Sequence, residues 1–318
     1  MVCSWLTLEE PQITNYKPHR RPGTNYIMTI AIHGRNFPES ARPYIQSMFE
    51  ELARRQTEII ISQGYRDYLD TAGVAHYSQK TYTVNEGVAN ADFIFSLGGD
   101  GTLLDAVTHV GSRQIPIIGI NIGRLGFLAT VAPASVRLMI DAIFNGQYSL
   151  DERTLVSVRS SQDIFGNLPF GLNDFTITRT QTSSMITVHA YLDGEFLNSY
   201  WADGLIVSTP SGSTGYSLSC GGPVLLPHTD SLIITPISPH NLNVRPMIVM
   251  DTCQFSFEVE SRSGNFLAAL DSRSFTVETA VRISVQKEAF KARLVKLNDD
   301  NFLNTLRSKL NWGWDIRN

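Results

Sequence analysis

The sequence predicts an α/β protein in two parts, an open α/β domain followed by a mainly-β domain. Three observations carry this. The first half alternates short apolar, β-rich runs with helical spacing, the grammar of an open parallel sheet. After about residue 150 short β-branched runs instead follow one another directly. The chain has 318 residues, enough for about two domains of roughly 150 residues each.

Taken in order, Tyr26 to His33 (YIMTIAIH) reads as a buried first strand bounded by Gly34. Pro43 opens a helical pattern with Ile45, Met48, Phe49 and Leu52 on one face. Ile59 continues that pattern, and Gly64 or a neighbour ends it. Residues 65–90 leave helix and strand both open. Asp92 to Leu97 is an apolar run that stops at a glycine pair, with a helix starting just after it, and Ile115 to Ile120 is a further run. The later runs are Leu155–Arg159, Phe175–Thr178, Ile186–Leu192, Gly204–Ser208, Ser231–Pro236, Phe255–Val259 and Val281–Val285. Asp193-Gly194 and Ser263-Gly264 supply turns between some of them. From Asn301 to Leu310, residues Phe302, Leu303, Leu306 and Leu310 stand at helical spacing. The expected organisation is a polar tail over 1–24, an α/β domain over 25–148, a β-rich domain over 149–296 and a C-terminal segment over 297–318.

Composition excludes several classes. Hydrophobic residues at 42% and charged residues at 18% rule out wholesale disorder. A net charge of −4 argues against a dedicated nucleic-acid binder. Cys3, Cys220 and Cys253 are scattered and form no CxxC pair, so neither a disulfide framework nor a zinc site is signalled. A reducing, cytoplasmic setting fits. No apolar run approaches the roughly 18 residues needed to span a bilayer, and the N-terminus lacks the apolar core of a secretory signal.

Five segments carry candidate chemistry. Gly98-Gly99-Asp100-Gly101-Thr102 sits where a strand meets a helix. Glycines let the backbone approach a ligand, and the helix N-terminus suits phosphate. A carboxylate there makes sense if it binds a hydroxyl or takes its proton; a helix-capping Asp in a glycine turn would read the same. The string is neither a Walker A loop nor GxGxxG. Asn121 to Leu128 places more glycines beyond a strand end, where an ordinary loop would also put them. Ala202 to Pro223 is rich in hydroxyls and glycines directly after a strand, as a polar ligand surface or a turn-rich loop would be. Asn173-Asp174 pairs an amide with a carboxylate, which suits a vicinal diol or a turn. Arg245, within Pro239 to Pro246, can hold a phosphate or serve the surface. The histidines show no metal spacing.

Jointly and in this order, the five segments resemble the NAD kinase family, enzymes that use ATP or polyphosphate to phosphorylate NAD. The resemblance runs from about Ile30 to the stretch Leu306 to Trp312, and the long segment from Asp203 to Pro223 is its most specific part. It implies a Rossmann-like N-terminal domain, a β-rich domain carrying most NAD contacts, as in folds of the NAD kinase and diacylglycerol kinase type, and a C-terminal segment packing back on the first domain. It implies phosphorylation of the adenosine ribose 2′-hydroxyl, with Mg²⁺ or another divalent metal, in a homodimer or homotetramer. By resemblance Asp100 is the base or hydroxyl orienter, and Gly98, Gly99, Gly101, Thr102, Asn121 and Arg245 serve the donor phosphates. Asn173 and Asp174 meet ribose hydroxyls. Phe127, Ser211, Thr214 and Gly215 surround the adenine, Gly101 also binds NAD, and Asp203, Tyr216 and Ser219 line the pocket towards the nicotinamide.

Three positions depart from the family pattern: Asp174 replaces a Glu, Gly215 often an Ala, and Ser272 the Gly after Asp271. Lipid kinases of the diacylglycerol or sphingosine type share the glycine-aspartate string, but the polar stretch from Asp203 to Ser219 opposes an apolar acceptor cleft. A non-catalytic NAD-binding sensor would keep the pocket, and retention of Asp100 speaks against it.

Overall fold

The computed structural model describes residues 27–78, 80–84, 88, 90–123, 126–180, 184–297 and 301–312. The expected polar tail lies outside the described residues.

The N-terminal half runs β1 (Thr29–Gly34), α1 (Arg42–Arg54), β2 (Glu58–Ser62), α2 (Gln63–Ala72), β3 (Lys80–Tyr82), β4 (Phe93–Gly98), α3 (Asp100–Val110), β5 (Ile117–Asn121), α4 (Val136–Phe144) and β6 (Ser149–Arg153). The second half continues with β7 (Val156–Ser160), β8 (Phe170–Gly171), β9 (Asp174–Arg179), β10 (Ile186–Leu192), β11 (Glu195–Ala202) and β12 (Gly204–Ser208). After α5 (Tyr216–Ser219) come β13 (Ser231–Ile237), β14 (Met247–Met250), β15 (Phe255–Glu260), β16 (Asn265–Leu270), β17 (Arg273–Glu278), β18 (Ile283–Lys287) and β19 (Ala292–Lys296). The last element is α6 (Phe302–Leu310).

The first sheet has seven strands in the order β3-β2-β1-β4-β5-β19-β6. Strands β1 to β5 are parallel. Apolar side chains pack on both faces, with α1, α2 and α4 over one and α3 over the other, as a parallel sheet requires. Strand order reverses between β1 and β4, so the crevice at their carboxyl ends is the topological switch point, where open α/β sheets bind ligands.

Two expectations change here. The helix opened by Pro43 stops at Arg54, and Ile59 belongs to β2, paired with β1. Gln56 adopts a left-handed φ of 56°, and the run of three isoleucines that follows is buried on both faces; β-branched residues prefer that setting. Second, β6 and β19 belong to the first sheet, β19 pairing parallel with β5 and antiparallel with β6. The chain between 149 and 296 therefore contributes both of its ends to the N-terminal sheet.

The remaining strands form two antiparallel six-stranded sheets, β11-β10-β15-β18-β7-β8 and β14-β13-β12-β9-β16-β17. Buried residues alternate along β10 and β16. Phe175, Leu205 and Phe266 from one sheet share a core with Val188, Phe257 and Ile283 from the other, which makes a sandwich. Asp193, at φ 50°, and Gly194, at φ 86°, turn β10 into β11, as the primed hairpin turns require. In α6, capped by Asn301 Oδ1 on the Leu303 N–H at 2.9 Å, Leu306 is buried but Leu303 is half exposed, so the inward face runs through Phe302, Leu306 and Leu310.

Candidate active site

Strand β4 ends at Gly98, Gly99 caps α3, and the helix begins at Asp100. The first amides of α3 have no intrahelical acceptors and point, with the positive end of the helix dipole, out of the sheet. Thr102 is buried, its N–H donating to Gly99 O at 3.0 Å. Gly98 pairs with Asn121 at the end of β5. Asn121 shapes the next loop from within: its Oδ1 accepts from Gly123 N–H at 2.8 Å and its Nδ2 donates to Ala129 O at 3.3 Å.

Asp100 reaches across to that loop. Its Oδ2 accepts from Phe127 N–H at 2.7 Å, and its Oδ1 accepts from Leu128 and Ala129 N–H, each at 3.0 Å. A carboxylate has about four lone-pair directions, so one on Oδ2 stays open. A Cβ on Gly126 would sit 1.9 Å from Oδ1, so only glycine lets the carboxylate come this close. Phe127 leads on to the C-terminal helix: its ring lies 6.4 Å from that of Phe302, with Lys309 Nζ 6.0 Å from its centroid.

The sequence near the glycine loop is poor in basic residues, but the fold supplies one. Arg35 follows β1 at the switch point, its N–H donating to Leu97 O at 3.2 Å. Its guanidinium meets Asp105 of α3 at 2.6 Å and remains 61% exposed. His33 stands 3.9 Å from the same carboxylate and packs against His109, the two rings tilted at 48° with centroids 4.5 Å apart. Burial pushes Asp105 up, but His33 and Arg35 outweigh it and hold the group below its usual range. Burial pushes His109 down to about 4, with His33 adding to the effect.

A second cluster comes from the sandwich. Asn173 and Asp174 lead into β9 and are held by a second carboxylate. Asp271 accepts from Leu172 and Asn173 N–H at 2.8 Å and from Asp174 N–H at 3.2 Å. Asp271 is in the two-residue turn between β16 and β17 with φ 52°, so the turn forms with serine in place of glycine after it. The hydroxyl-rich loop packs on this pair: a Cβ on Gly212 would lie 2.1 Å from Asn173 O, and one on Gly215 3.8 Å from Asp174 Oδ2 and 3.9 Å from Asn173 Nδ2. The buried Asn173 Oδ1 has no hydrogen-bond partner among the described residues. Burial, then the charge of Asp271, pushes Asp174 up to about 7.

Ser211 ties this loop to the first sheet. Its hydroxyl accepts from Arg153 Nη1 at 3.0 Å, and Arg153 binds Asp151 through two bonds of 2.8 Å, all buried. Thr214 Oγ1 donates to Ser211 O at 3.2 Å. Tyr216 and Ser219 are exposed on α5. Burial raises the Tyr216 phenol, with Cys220, Asp203 and Asp174 adding to it. Asp203 pairs with Arg179 at 2.8 Å. Arg245 stands apart, exposed between β13 and β14, donating to Leu242 O at 2.6 Å and Val244 O at 2.8 Å. Asn173, Asp174, Ser211, Thr214 and Gly215 thus converge. Asp100, Gly98, Gly99, Gly101, Thr102, Asn121 and Phe127 gather in the other cluster, around the start of α3.

A glycine loop at a helix N-terminus, together with an amide, a carboxylate and hydroxyls on the sandwich suited to a sugar, fits a two-domain phosphotransferase with an alcohol acceptor. The comparisons narrow this. The ATP-NAD kinase N-terminal domain matches residues 35–148 and the ATP-NAD kinase C-terminal domain residues 172–297. An NAD kinase from Cytophaga hutchinsonii is 52% identical over 292 residues, 92% of this chain and 100% of its own. One from Flavobacterium psychrophilum is 42% identical over the same shares of the two chains. The chain belongs to the NAD kinase family. The fold is also that of yeast NADH kinase complexed with NADH, with a TM-score of 0.82 at 21% identity over 92% of this chain and 90% of that one. An Archaeoglobus fulgidus NAD kinase in complex with ATP gives 0.67 at 24% identity, covering 89% and 99%.

Proposed function

We infer that the protein transfers a phosphoryl group to the 2′-hydroxyl of the adenosine ribose of NAD, giving NADP, with ATP as donor. The observation that carries the site assignment is the close approach of Gly215 to Asn173 and Asp174, with the buried Asn173 amide oxygen left without a hydrogen-bond partner among the described residues. A ribose hydroxyl supplies the donor that this oxygen lacks. The adenine lies along Ser211, Thr214, Gly215 and Phe127. The nicotinamide half extends towards Asp203, Tyr216 and Ser219.

Phosphoryl transfer asks for alignment and charge neutralisation. The donor phosphates lie on Gly98, Gly99, Gly101 and Thr102 at the α3 N-terminus, beside Arg35. Asp100 holds the loop of Phe127 and uses its open lone-pair direction to orient the attacking hydroxyl. No group of three His, Cys, Asp or Glu among the described residues is arranged to hold a metal ion. That suits Mg²⁺ entering on the nucleotide, as part of the substrate. Arg245, engaged in its own loop, serves the donor only by swinging free of Leu242 and Val244.

A homo-oligomer is supported by the exposed apolar residues Trp201, Leu242, Ile248 and Met250. Two free thiols, Cys220 and Cys253, suit a reducing cytoplasm. No helix among the described residues is long and apolar enough to cross a membrane. Incubation with NAD, ATP and Mg²⁺ should yield NADP, and 2′-deoxy-NAD should bind without reacting. Absence of NADP refutes the reading.

A further inference from the structure

Arg35 follows the end of β1 at the switch point, its backbone held on Leu97 beside the glycine loop. In the two loops that leave β1 and β4 there, residues 35–41 and 99, it is the sole basic residue. A guanidinium carries five N–H donors. Among the described residues this one has a single partner, Asp105 Oδ2, through one bond of 2.6 Å. The same oxygen has a second neighbour. His33 Nε2 lies 3.9 Å from it, beyond hydrogen-bond distance. That nitrogen is buried and has no hydrogen-bond partner among the described residues. The other ring nitrogen, Nδ1, lies 3.0 Å from Ser62 Oγ. One carboxylate oxygen is thus held by an exposed arginine and approached by a buried ring nitrogen that lacks an acceptor.

Resting on the assignment of ATP as donor, we propose that Arg35 binds the donor's phosphate chain and that Asp105 is where it waits. When ATP arrives, the guanidinium passes from the carboxylate oxygen to the phosphates, and His33 Nε2–H closes on the oxygen it leaves. Ser62 donates to Nδ1, which keeps the ring proton on Nε2. Phosphate oxygens offer the planar fork two parallel charged bonds, where Asp105 gives it one. The exchange needs His33, because an Asp105 stripped of Arg35 is a carboxylate only 27% exposed without a donor, which is costly.

The surroundings agree. The charged and titratable groups near Asp105 are His33 and Arg35 from the end of β1, His109 one turn further along α3, and Arg273 from β17. Burial pushes His109 down to about 4, so it offers no cation near neutrality. Arg273 is engaged with Leu168 O and Phe170 O. Arg35 is therefore the one free to move, and His33 is the one placed to follow it. The backbone stays put: a Cβ on Gly34 would lie 2.6 Å from the Tyr65 ring, which packs on the strand end, and Gly34 pairs with Leu97. Asp105 is five residues beyond Asp100 on α3, about 7.5 Å along the axis. Rotation of the long Arg35 side chain spans that distance to the helix N-terminus.

Steady-state kinetics with ATP and NAD varied in turn, alongside thermal melts, test this on the full chain. Arg35→Ala should raise KM for ATP by about 10- to 100-fold, the loss expected of a charged hydrogen-bonded contact. Its KM for NAD should stay within about twofold of wild type, and it should melt like wild type, since an exposed ion pair adds little stability. Arg35→Lys, which keeps the charge but not the fork, should recover part of the loss. Asp105→Asn removes the competing charge and should lower KM for ATP by about two- to fivefold, an effect that should vanish in the Arg35→Ala background. His33→Leu leaves Asp105 no replacement donor and should raise KM for ATP. An unchanged KM for ATP in Arg35→Ala overturns the proposal. So does a rise confined to NAD, which would put Arg35 on the acceptor's diphosphate. A raised KM for ATP in Asp105→Asn overturns the exchange, because the pair would then be a fixed strut. Failure of the wild type to form NADP from ATP would instead refute the reading beneath it.

Discussion

Gly126→Ala is the sharpest steric test of the Asp100 clamp. The new Cβ would lie 1.9 Å from Asp100 Oδ1 and 2.4 Å from its Cγ, far inside contact distance. The carboxylate must leave or the loop must move, and either breaks hydrogen bonds to Phe127, Leu128 and Ala129. Each bond from a neutral donor to a charged acceptor is worth about 1.5–3 kcal/mol. Water will replace part of them, so a net loss of about 2–4 kcal/mol is expected. At about 2–4 °C per kcal/mol for a chain of this class, the melting temperature should fall by roughly 5–15 °C. Displacement of Phe127 should also raise KM for NAD and lower kcat by at least about tenfold, since misplaced groups lose alignment. Gly123→Ala is the matched control. It lies in the same loop with nothing within 4 Å of its added Cβ, and should melt and turn over like wild type. Circular dichroism melts and steady-state kinetics suffice. A Gly126→Ala protein with both properties unchanged would mean that the Asp100 clamp contributes nothing.

Two further outcomes follow from buried charge. Arg153→Ala leaves the buried Asp151 without its bidentate partner, with His228 at 3.5 Å and the more distant charge of Lys296, and frees Ser211; it should cost about 3–5 kcal/mol, whereas Arg153→Met with Asp151→Leu should lose far less, and chemical denaturation of the two decides. Asp174 has a folded pKa of about 7, raised from its unfolded value. Its contribution is thus fully favourable below about pH 4 and is lost as pH rises through about 7. Asp174→Asn should therefore melt above wild type at pH 8 and converge with it towards pH 4, and parallel melting curves at all pH values would refute the shift.

The glycine-aspartate loop, the hydroxyl-rich loop and the switch from α/β to β are legible because each is local: a strand, a glycine stop and a helix start lie within a few residues. Strand β2 is not. Ile59 falls at helical spacing from Leu52, and a strand buried on both faces lacks the alternation that betrays half-buried strands. Arg35 escapes because parallel pairing of β1 with β4 brings it to the glycine loop across more than half of the first domain. Strand β19 escapes for the same reason, returning to a sheet laid down far earlier in the chain. The grip of Asp271 on residues 172–174 is equally non-local, joining a hairpin turn to a strand nearly a hundred positions away.

That grip and the one made by Asp100 are a single device used twice. In each, three consecutive amides after a glycine converge on one carboxylate, and a Cβ on that glycine, Gly126 or Gly171, would crowd the carboxylate, at 1.9 Å and 3.1 Å respectively. One clamp fixes the loop of Phe127 and the other the turn into Asn173 and Asp174, which is what a reaction catalysed chiefly by alignment needs. The two duties of Asp100, clamp and orienter, can then be separated. In Asp100→Asn the remaining oxygen can keep the bonds to Leu128 and Ala129, and only the bond to Phe127 is replaced by an unfavourable N–H to N–H approach. Its melting temperature should fall less than that of Gly126→Ala. If Asp100 also orients the attacking hydroxyl, its kcat should fall further, by about 10²–10⁴-fold, with NAD affinity little changed. Opposite rank orders in stability and turnover therefore identify the orienting role. Turnover that merely tracks the melting temperature across the two variants would reduce Asp100 to a clamp.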